Sequence, residues 1–233
     1  MNVTSNLFSA MKNLIYISLL LFVFACDKKN SPVITQSNVK EVLTKYGQEN
    51  PETDVTIETK LGIIKIHLFE DTPLHRANFI KLIKDDYYHD AEFYRIVTGF
   101  VVQGGDMSKT YSYLIPAEFN PNHYHKKGAV AMARSDDNNP AMESSSTEFY
   151  IMQGSKYAEE DIDLDASNEG LKLTPQQRKD YLTLGGDMSL DQKYTVFGEV
   201  VEGLDVVDKL ANVKVYGEKP LQKVPFKISM TKK

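Results

Sequence analysis

The stretch FYRIVTGFVVQGGD, residues 93–106, decides the fold of this chain. Apolar residues occupy consecutive positions over residues 100–102, so the alternation of a half-exposed strand fails and the stretch predicts one buried strand. Two glycines at 104–105 free the backbone where that strand is expected to end. Arginine is almost never fully buried unless it is paired. We therefore expect Arg95 either to bond a neighbouring carbonyl or to face a cleft.

Composition is that of a globular chain with a sizeable core. The chain has 233 residues, of which 42% are hydrophobic, and its formal net charge is −5. Its lysines and arginines are scattered rather than clustered, so no nucleic-acid-binding surface is predicted. We expect a monomer that needs no cofactor and no metal.

The N-terminus has the features of an export signal. Residues 14–25 are uncharged and largely apolar, follow Lys12, and are too few to cross a bilayer, which is typical of a signal peptide over residues 1–25. Cys26 is the only cysteine, so no disulfide can form within the chain. A small residue before cysteine resembles the bacterial lipoprotein cleavage box, which implies lipid on Cys26 and attachment to the cell envelope, facing the periplasm or the exterior. A plain secretory signal with an incidental cysteine is the alternative, and translation could start at Met11.

The remaining chain divides into a tether and one domain. Residues 26–53 are mostly polar and predict a tether, with a short helix that Asn38 caps and Gly47 ends. Residues 54–233 are the predicted domain, and residues 155–191 are an insertion within it.

The predicted domain opens with a hairpin followed by a helix. Residues 55–69 hold two β-rich runs that meet near Leu61, which predicts the hairpin. Thr72 is the expected N-cap of the helix and Pro73 its expected first residue, while residues 77–83 supply a wide apolar face.

Later segments favour a mainly β fold with a second helix. Residues 204–211 repeat the apolar helical spacing and precede a last strand predicted at residues 226–230. Many short strands with two helices favour a closed antiparallel barrel, which removes exposed sheet edges. Composition alone does not choose this barrel over a sandwich.

The insertion and one loop contain residues that suggest metals only weakly. Residues 174–177 predict a capping box for a helix that the glycines at 185–186 end. Alternating aspartates over residues 161–165 lack the glycine and glutamate of a calcium loop, so a solvated acidic loop is favoured. His123 and His125 lack further ligands at suitable spacing and are interpreted as surface histidines.

Five ordered motifs resemble the cyclophilins, the peptidyl-prolyl cis/trans isomerases. Residues 93–106 match the family pattern F-H/Y-R-x-x-x-x-F-x-x-Q-G-G-D. The other four are GIIKIHLFEDTPLHRANFIKL at 62–82, AVAMAR at 129–134, STEFYI at 146–151 and YTVFGEVVEGLDVVD at 194–208. The resemblance implies an eight-stranded antiparallel barrel capped by two helices, and acceleration of rotation about X-Pro bonds.

The resemblance also implies the active site. When an X-Pro bond twists, the prolyl nitrogen regains a lone pair, and Arg95 is implied as the donor of a hydrogen bond to it. Gln103 is expected to hold Arg95, and Phe100 is the third implied catalytic residue. The implied substrate-binding residues are Val101, Ala133, Arg134, Glu148, Tyr150, Leu190 and Tyr194.

Some positions depart from the family pattern. Glu148 stands where glutamine is usual, and we hypothesise that it forms an ion pair with Arg95. Ser189 replaces a tryptophan or histidine and Val101 replaces a methionine, so we expect a more open slot. Tyr150 replaces a phenylalanine, a change that the slot should tolerate.

Three functions follow from these residues. The first is a prolyl isomerase for extracytoplasmic proteins, with proline-containing segments of unfolded or partly folded chains as partners. The alternatives are a proline-peptide binding module that has lost turnover and a chaperone-like lipoprotein that uses the barrel as a scaffold.

Overall fold

A sheet of eight antiparallel strands curls into a nearly closed barrel in the computed structural model of the chain. Among the described residues there are twelve strands: β1 (Asp54–Thr59), β2 (Gly62–Leu68), β3 (Glu92–Val97), β4 (Val101–Gly105), β5 (Leu114–Ile115), β6 (Ala129–Met132), β7 (Ser144–Ser145), β8 (Phe149–Met152), β9 (Val196–Glu202), β10 (Val215–Tyr216), β11 (Lys219–Pro220) and β12 (Phe226–Met230). The barrel order is β12-β1-β2-β9-β6-β8-β4-β3. The seam between its two ends is bridged where the Phe93 N–H donates to the Val224 carbonyl at 2.9 Å. The barrel that the resemblance implied is confirmed.

The structure describes residues 33–106, 108–109 and 111–231. Residues from Ile34 onward form one compact unit, while the domain boundary at residue 54 stays a prediction. The proposed signal peptide and Cys26 lie outside the described residues. Within the described part of the chain, no helix combines the length and apolar character needed to cross a membrane.

The stretch 93–106 forms a hairpin rather than one buried strand. Strands β3 and β4 pair antiparallel, and Gly99 between them has a φ of +79°, a conformation that favours glycine. The prediction of a single strand is therefore wrong, because this glycine reverses the chain inside an otherwise apolar run. The pairing places Arg95 opposite Gln103, which could not follow from one continuous strand.

Five helices lie among the described residues: α1 (Val39–Glu49), α2 (Pro73–Lys84), α3 (Ile162–Asn168), α4 (Pro175–Thr183) and α5 (Leu204–Ala211). Helix α2 packs against β9 and β12, and α5 packs against β2, β3 and β4. These are the two helices that the apolar spacing predicted. The final strand β12 also occupies the predicted range.

The N-terminus of α2 is stabilised by a residue that is far away in the sequence. Thr72 occupies the N-cap position and Pro73 the first helical position, as predicted, but within the described structure the Thr72 side chain makes no capping bond. The backbone N–H groups of Leu74 and His75 donate instead to the carboxylate of Glu118, each at 3.0 Å. Helix N-termini favour negative charge, so Glu118 supplies the cap that the local sequence does not.

Helix α1 passes through the glycine that was expected to end it. Leu43 is fully buried, and the helix continues beyond Gly47 to Glu49. A Cβ atom at Gly47 would lie 3.1 Å from the Cβ of Ala77, so the missing side chain lets α1 approach α2 closely. Gly47 is therefore a packing residue, and the predicted helix end is wrong.

The barrel interior is filled by aromatic and branched side chains. Phe79 of α2 meets Phe149 and Phe197 edge to face, with both ring-centre distances at 5.2 Å. Edge-to-face rings are a preferred aromatic arrangement. These contacts fix α2 on the strands that also supply the site described below.

The insertion forms two helices around a fully buried Tyr181. The predicted capping box of α4 is confirmed, since Gln177 N–H donates to Thr174 Oγ1 at 3.2 Å and Thr174 N–H donates to Gln177 Oε1 at 2.8 Å. The acidic loop was predicted wrongly, because α3 forms there. Ile162 and Ala166 are buried on α3, and this packing stabilises the helix among its aspartates.

Candidate active site

An apolar cluster lies on the face of the sheet opposite the barrel interior. Successive strand residues point to opposite faces. In β6 and the residue that follows it, Val130 and Met132 therefore join the interior, while Ala129, Ala131 and Ala133 join the cluster. Six of the predicted site residues meet in this cluster: Phe100, Val101, Ala133, Tyr150, Leu190 and Tyr194.

Arg95 lies beside this cluster with its guanidinium held on two sides. One terminal nitrogen, Nη1, donates to Gln103 Oε1 at 3.2 Å. Nε and Nη2 donate to the two carboxylate oxygens of Glu218 at 2.6 and 3.2 Å. The guanidinium carbon lies 5.9 Å from the ring centre of Phe100, and the side chain is 32% exposed. Arg95 therefore faces both the apolar cluster and solvent.

Glu218 is a site residue that the sequence did not indicate. It lies in the turn between β10 and β11, where Gly217 has a φ of +60°. The Ile96 N–H donates to the Glu218 carbonyl at 2.8 Å, which ties this turn to β3. Hydrogen bonds from Arg95 lower the pKa of the Glu218 carboxyl below its ordinary value. The two residues are 123 positions apart, and no local pattern connects them.

Glu148 does not pair with Arg95 as hypothesised. Among the described residues, the ion-pair partner of Arg95 is Glu218, so the hypothesis is wrong. Glu148 lies instead beside Tyr94, whose pKa is raised by burial and then by the Glu148 carboxylate. The Gln103 amide nitrogen donates to the Tyr94 hydroxyl at 2.7 Å, and this bond orients the Gln103 amide oxygen toward Arg95. Glu148 therefore interacts with Tyr94, while Arg95 pairs with Glu218.

Tyr194 packs against the apolar cluster, and Arg134 lies over its ring. The guanidinium carbon of Arg134 lies 4.3 Å from the ring centre of Tyr194, within the range of a cation–π contact. Arg134 is held there by Asp136, at 2.8 Å, and by the carbonyl of Lys193. The Tyr194 ring meets the Tyr150 ring edge to face at 6.2 Å.

Leu190 is presented by a short 3₁₀ turn, Met188–Leu190. The Ser189 hydroxyl and N–H both donate to Asp187 Oδ1, at 2.6 and 3.0 Å. Ser189 therefore stabilises the turn, and Leu190 packs against the apolar cluster.

The two histidines that were predicted at the surface differ in exposure, since His125 is buried and His123 is partly exposed. His125 is fully buried, and His123 stacks on Phe69 with ring centres 3.8 Å apart. The prediction is wrong for His125, because the insertion covers the loop that carries this residue. The Asp187 N–H of the insertion donates to the His125 carbonyl at 2.9 Å. Among the described residues, no group of three or more His, Cys, Asp or Glu side chains could hold a metal ion.

Comparison with known proteins assigns the chain to a family. Residues 54–232 match the family model described as cyclophilin type peptidyl-prolyl cis-trans isomerase/CLD. A peptidyl-prolyl cis-trans isomerase relative from Staphylococcus saprophyticus is 31% identical over 196 residues, which cover 78% of this chain and 95% of the relative. A bifunctional phosphatase/peptidyl-prolyl cis-trans isomerase relative from Streptococcus pyogenes is 34% identical over 172 residues, or 69% of this chain. The chain spans only 34% of the length of that bifunctional protein.

Solved structures agree on the fold. A cyclophilin type peptidyl-prolyl cis-trans isomerase from Cryptosporidium parvum has a TM-score of 0.55 and 22% identity, and the match covers 78% of this chain and 99% of that one. That protein has also been solved in the presence of the dipeptide Ala-Pro. The family match, the relatives and the barrel together show that this chain belongs to the cyclophilin-type peptidyl-prolyl cis-trans isomerases.

Proposed function

We propose that Arg95 performs the isomerisation, by donating a hydrogen bond to the prolyl nitrogen of a twisted X-Pro bond. The observation that carries this proposal is the guanidinium held by Gln103 and Glu218 at the edge of the apolar cluster. A guanidinium has five N–H donors. Three of those on Arg95 bond the described side chains, so one on each terminal nitrogen remains for the substrate.

The energy required is within reach of such a contact. Amide resonance gives the X-Pro bond a barrier of about 18–20 kcal/mol, and uncatalysed exchange takes tens to hundreds of seconds. Raising a rate of about 0.01 per second to about 10 per second requires roughly 4 kcal/mol of differential stabilisation. A planar amide nitrogen accepts hydrogen bonds poorly, whereas a twisted one accepts well. The donor therefore stabilises the twisted state more than either ground state.

The apolar cluster supplies the site for the proline ring. Tyr150 and Val101 are almost completely buried, and Phe100 and Leu190 are partly exposed beside them. An apolar slot next to one fixed polar group is the usual form of a small-ligand site. Placing the ring there would hold the prolyl nitrogen near Arg95.

A protease-coupled assay on an Ala-Pro peptide tests the proposed activity. The full-length chain should accelerate the cis-to-trans phase in proportion to its concentration. An unchanged rate, together with peptide binding by titration, would favour a binding module. Suppression of aggregation without either effect would favour a chaperone-like scaffold.

Substitution of Glu218 tests how Arg95 is held. We expect Glu218→Gln to lower kcat/KM about two- to fivefold, because exposed ion pairs are weak but this one limits the guanidinium to one orientation. Arg95 lowers the pKa of Glu218, so the carboxylate stays ionised and the rate ratio should be constant between about pH 6 and 8. A faster variant would show instead that Glu218 competes with the substrate for Arg95.

We place the substrates outside the cytoplasm. The apolar residues 14–25 before Cys26 support this, since such a stretch is typical of an exported chain. Metabolic labelling with a radioactive fatty acid should mark the wild-type chain and not Cys26→Ser. Equal labelling of the two, or recovery of both in the cytoplasmic fraction, would contradict the lipoprotein proposal.

A further inference from the structure

A buried chain of hydrogen bonds connects the candidate slot to the insertion. It begins at the Tyr150 hydroxyl, which lies 2.9 Å from His125 Nε2. His125 Nδ1 and the His125 backbone N–H reach Asp191 Oδ1, at 2.9 and 2.7 Å. The Tyr181 hydroxyl of α4 donates to Asp191 Oδ2 at 2.5 Å. These four residues are hereafter the Tyr150–Tyr181 relay.

Protons can be assigned along the relay from the chemistry of its ends. Burial, followed by the Asp191 charge, raises the pKa of Tyr181, and burial raises the pKa of Tyr150. Both hydroxyls therefore keep their protons. A carboxylate only accepts hydrogen bonds, so His125 Nδ1 carries the proton that is donated to Asp191, and Nε2 of the neutral imidazole accepts from the Tyr150 hydroxyl. A neighbouring carboxylate commonly fixes a histidine tautomer in this way.

Every member of the relay is buried, with side chains of His125 and Asp191 exposed by 0% and 4%. Hydrogen bonds in a buried, low-dielectric interior are strong, and a broken one leaves a costly unpaired group. The relay therefore resists distortion more than a solvent-exposed set of bonds would.

The relay joins two walls of the slot. Tyr150 contributes its ring to the apolar cluster while its hydroxyl turns inward to His125. Asp191 directly follows Leu190, the wall residue on the 3₁₀ turn. Both walls are therefore connected to the His125 imidazole, Tyr150 directly and Leu190 through the adjacent Asp191. Tyr181, in the core of the insertion, also bonds Asp191.

We infer that the Tyr150–Tyr181 relay positions Tyr150 and Leu190, so that the insertion sets the width of the proline slot. This inference rests on the proposed function, because it assumes that the apolar cluster receives a proline ring. It gives α4 a role in substrate binding without any contact between that helix and the substrate. Tyr150 also retains an apolar surface toward the slot despite its hydroxyl.

The test compares Tyr150→Phe, Tyr181→Phe and the double variant in the full-length chain. Each single change should weaken affinity for an Ala-Pro peptide and raise KM about two- to tenfold, the usual worth of one hydrogen bond. The kcat should stay near that of the wild type, because Arg95 is untouched and a looser wall affects ground and transition states alike. The double variant should bind no more weakly than the weaker single variant, since either change breaks the same relay.

Tyr124→Phe is the matched control. Its hydroxyl donates to Asp180 in the same cluster of the insertion but takes no part in the relay. We expect it to lower Tm as Tyr181→Phe does, with unchanged peptide affinity. Additive effects of the two relay changes, unaltered affinity, or an equal loss in Tyr124→Phe would overturn the inference.

Affinity and turnover separate the two proposals. A wild-type chain that binds the peptide without turnover would refute the proposed activity, while the relay would still be tested by the affinities of its variants. Normal turnover with KM unchanged in both tyrosine variants would refute the relay alone.

Discussion

Replacing Arg95 with alanine is expected to lower kcat/KM about 100- to 1000-fold, the usual loss when one preorganised transition-state donor is removed. The loss should fall mainly on kcat, because the apolar cluster that would bind the proline ring is left intact. Tm should stay near that of the wild type, since the pair with Glu218 lies at the surface. Stopped-flow or protease-coupled kinetics with saturating peptide would separate kcat from KM.

Two variants serve as controls for this result. Arg178→Ala removes a guanidinium from α4 that pairs with Glu159 and Asp163 at 2.9 and 3.2 Å, and it should leave both constants unchanged. Arg95→Lys keeps the charge without the planar fork and should recover only a small part of the rate. Turnover by Arg95→Ala within a few-fold of the wild type would refute the proposed role of the guanidinium.

Gly154→Ala is expected to destabilise the chain by about 2–5 kcal/mol, combining left-handed strain with overpacking. Gly154 has a φ of +63°, and a Cβ atom there would lie 2.4 Å from the Cα of Gly186. This close approach joins the first residue of the insertion, Ser155, to Gly186 within it, through paired backbone bonds at 3.0 and 3.2 Å. The Gly154 N–H also donates to the Phe100 carbonyl at 2.9 Å, so turnover should fall together with stability.

Gly170→Ala isolates the part of this effect that comes from backbone conformation. Gly170 has a φ of +69°, but nothing lies within 4 Å of the Cβ position. This variant should therefore lose only about 1–2 kcal/mol, the cost of the left-handed conformation alone. Urea denaturation of both variants gives the comparison. Equal losses would show that the contact between Gly154 and Gly186 is not a constraint on the insertion.

Much of the fold was predictable because it depends on interactions between near neighbours. The apolar spacing of α2 and α5 and the capping box of α4 extend over a few residues, and all three are confirmed. The strand β12 was likewise predicted from its own residues. The two errors at glycines have opposite forms. Gly47 was expected to end a helix but permits close packing, whereas Gly99 lies in a run predicted as one strand but reverses the chain.

Six residues of the apolar cluster and the contact between Gln103 and Arg95 were predictable, whereas the carboxylate that pairs with Arg95 was not. The motifs identified six residues that meet in the apolar cluster, together with Arg95 and Gln103. The hypothesis for Glu148 failed because nearness in matched motifs does not determine which carboxylate reaches a guanidinium.

The sequence by itself therefore determined the family, the main helices and six of the residues that meet in the apolar cluster. Only the tertiary structure decided that Glu218 holds Arg95, that Glu118 caps α2, and that His125 is buried between Tyr150 and Asp191. The physical reason is distance along the chain. Helix spacing and capping depend on residues within one or two helical turns of each other, whereas these partners meet only when the barrel closes and the insertion packs against it.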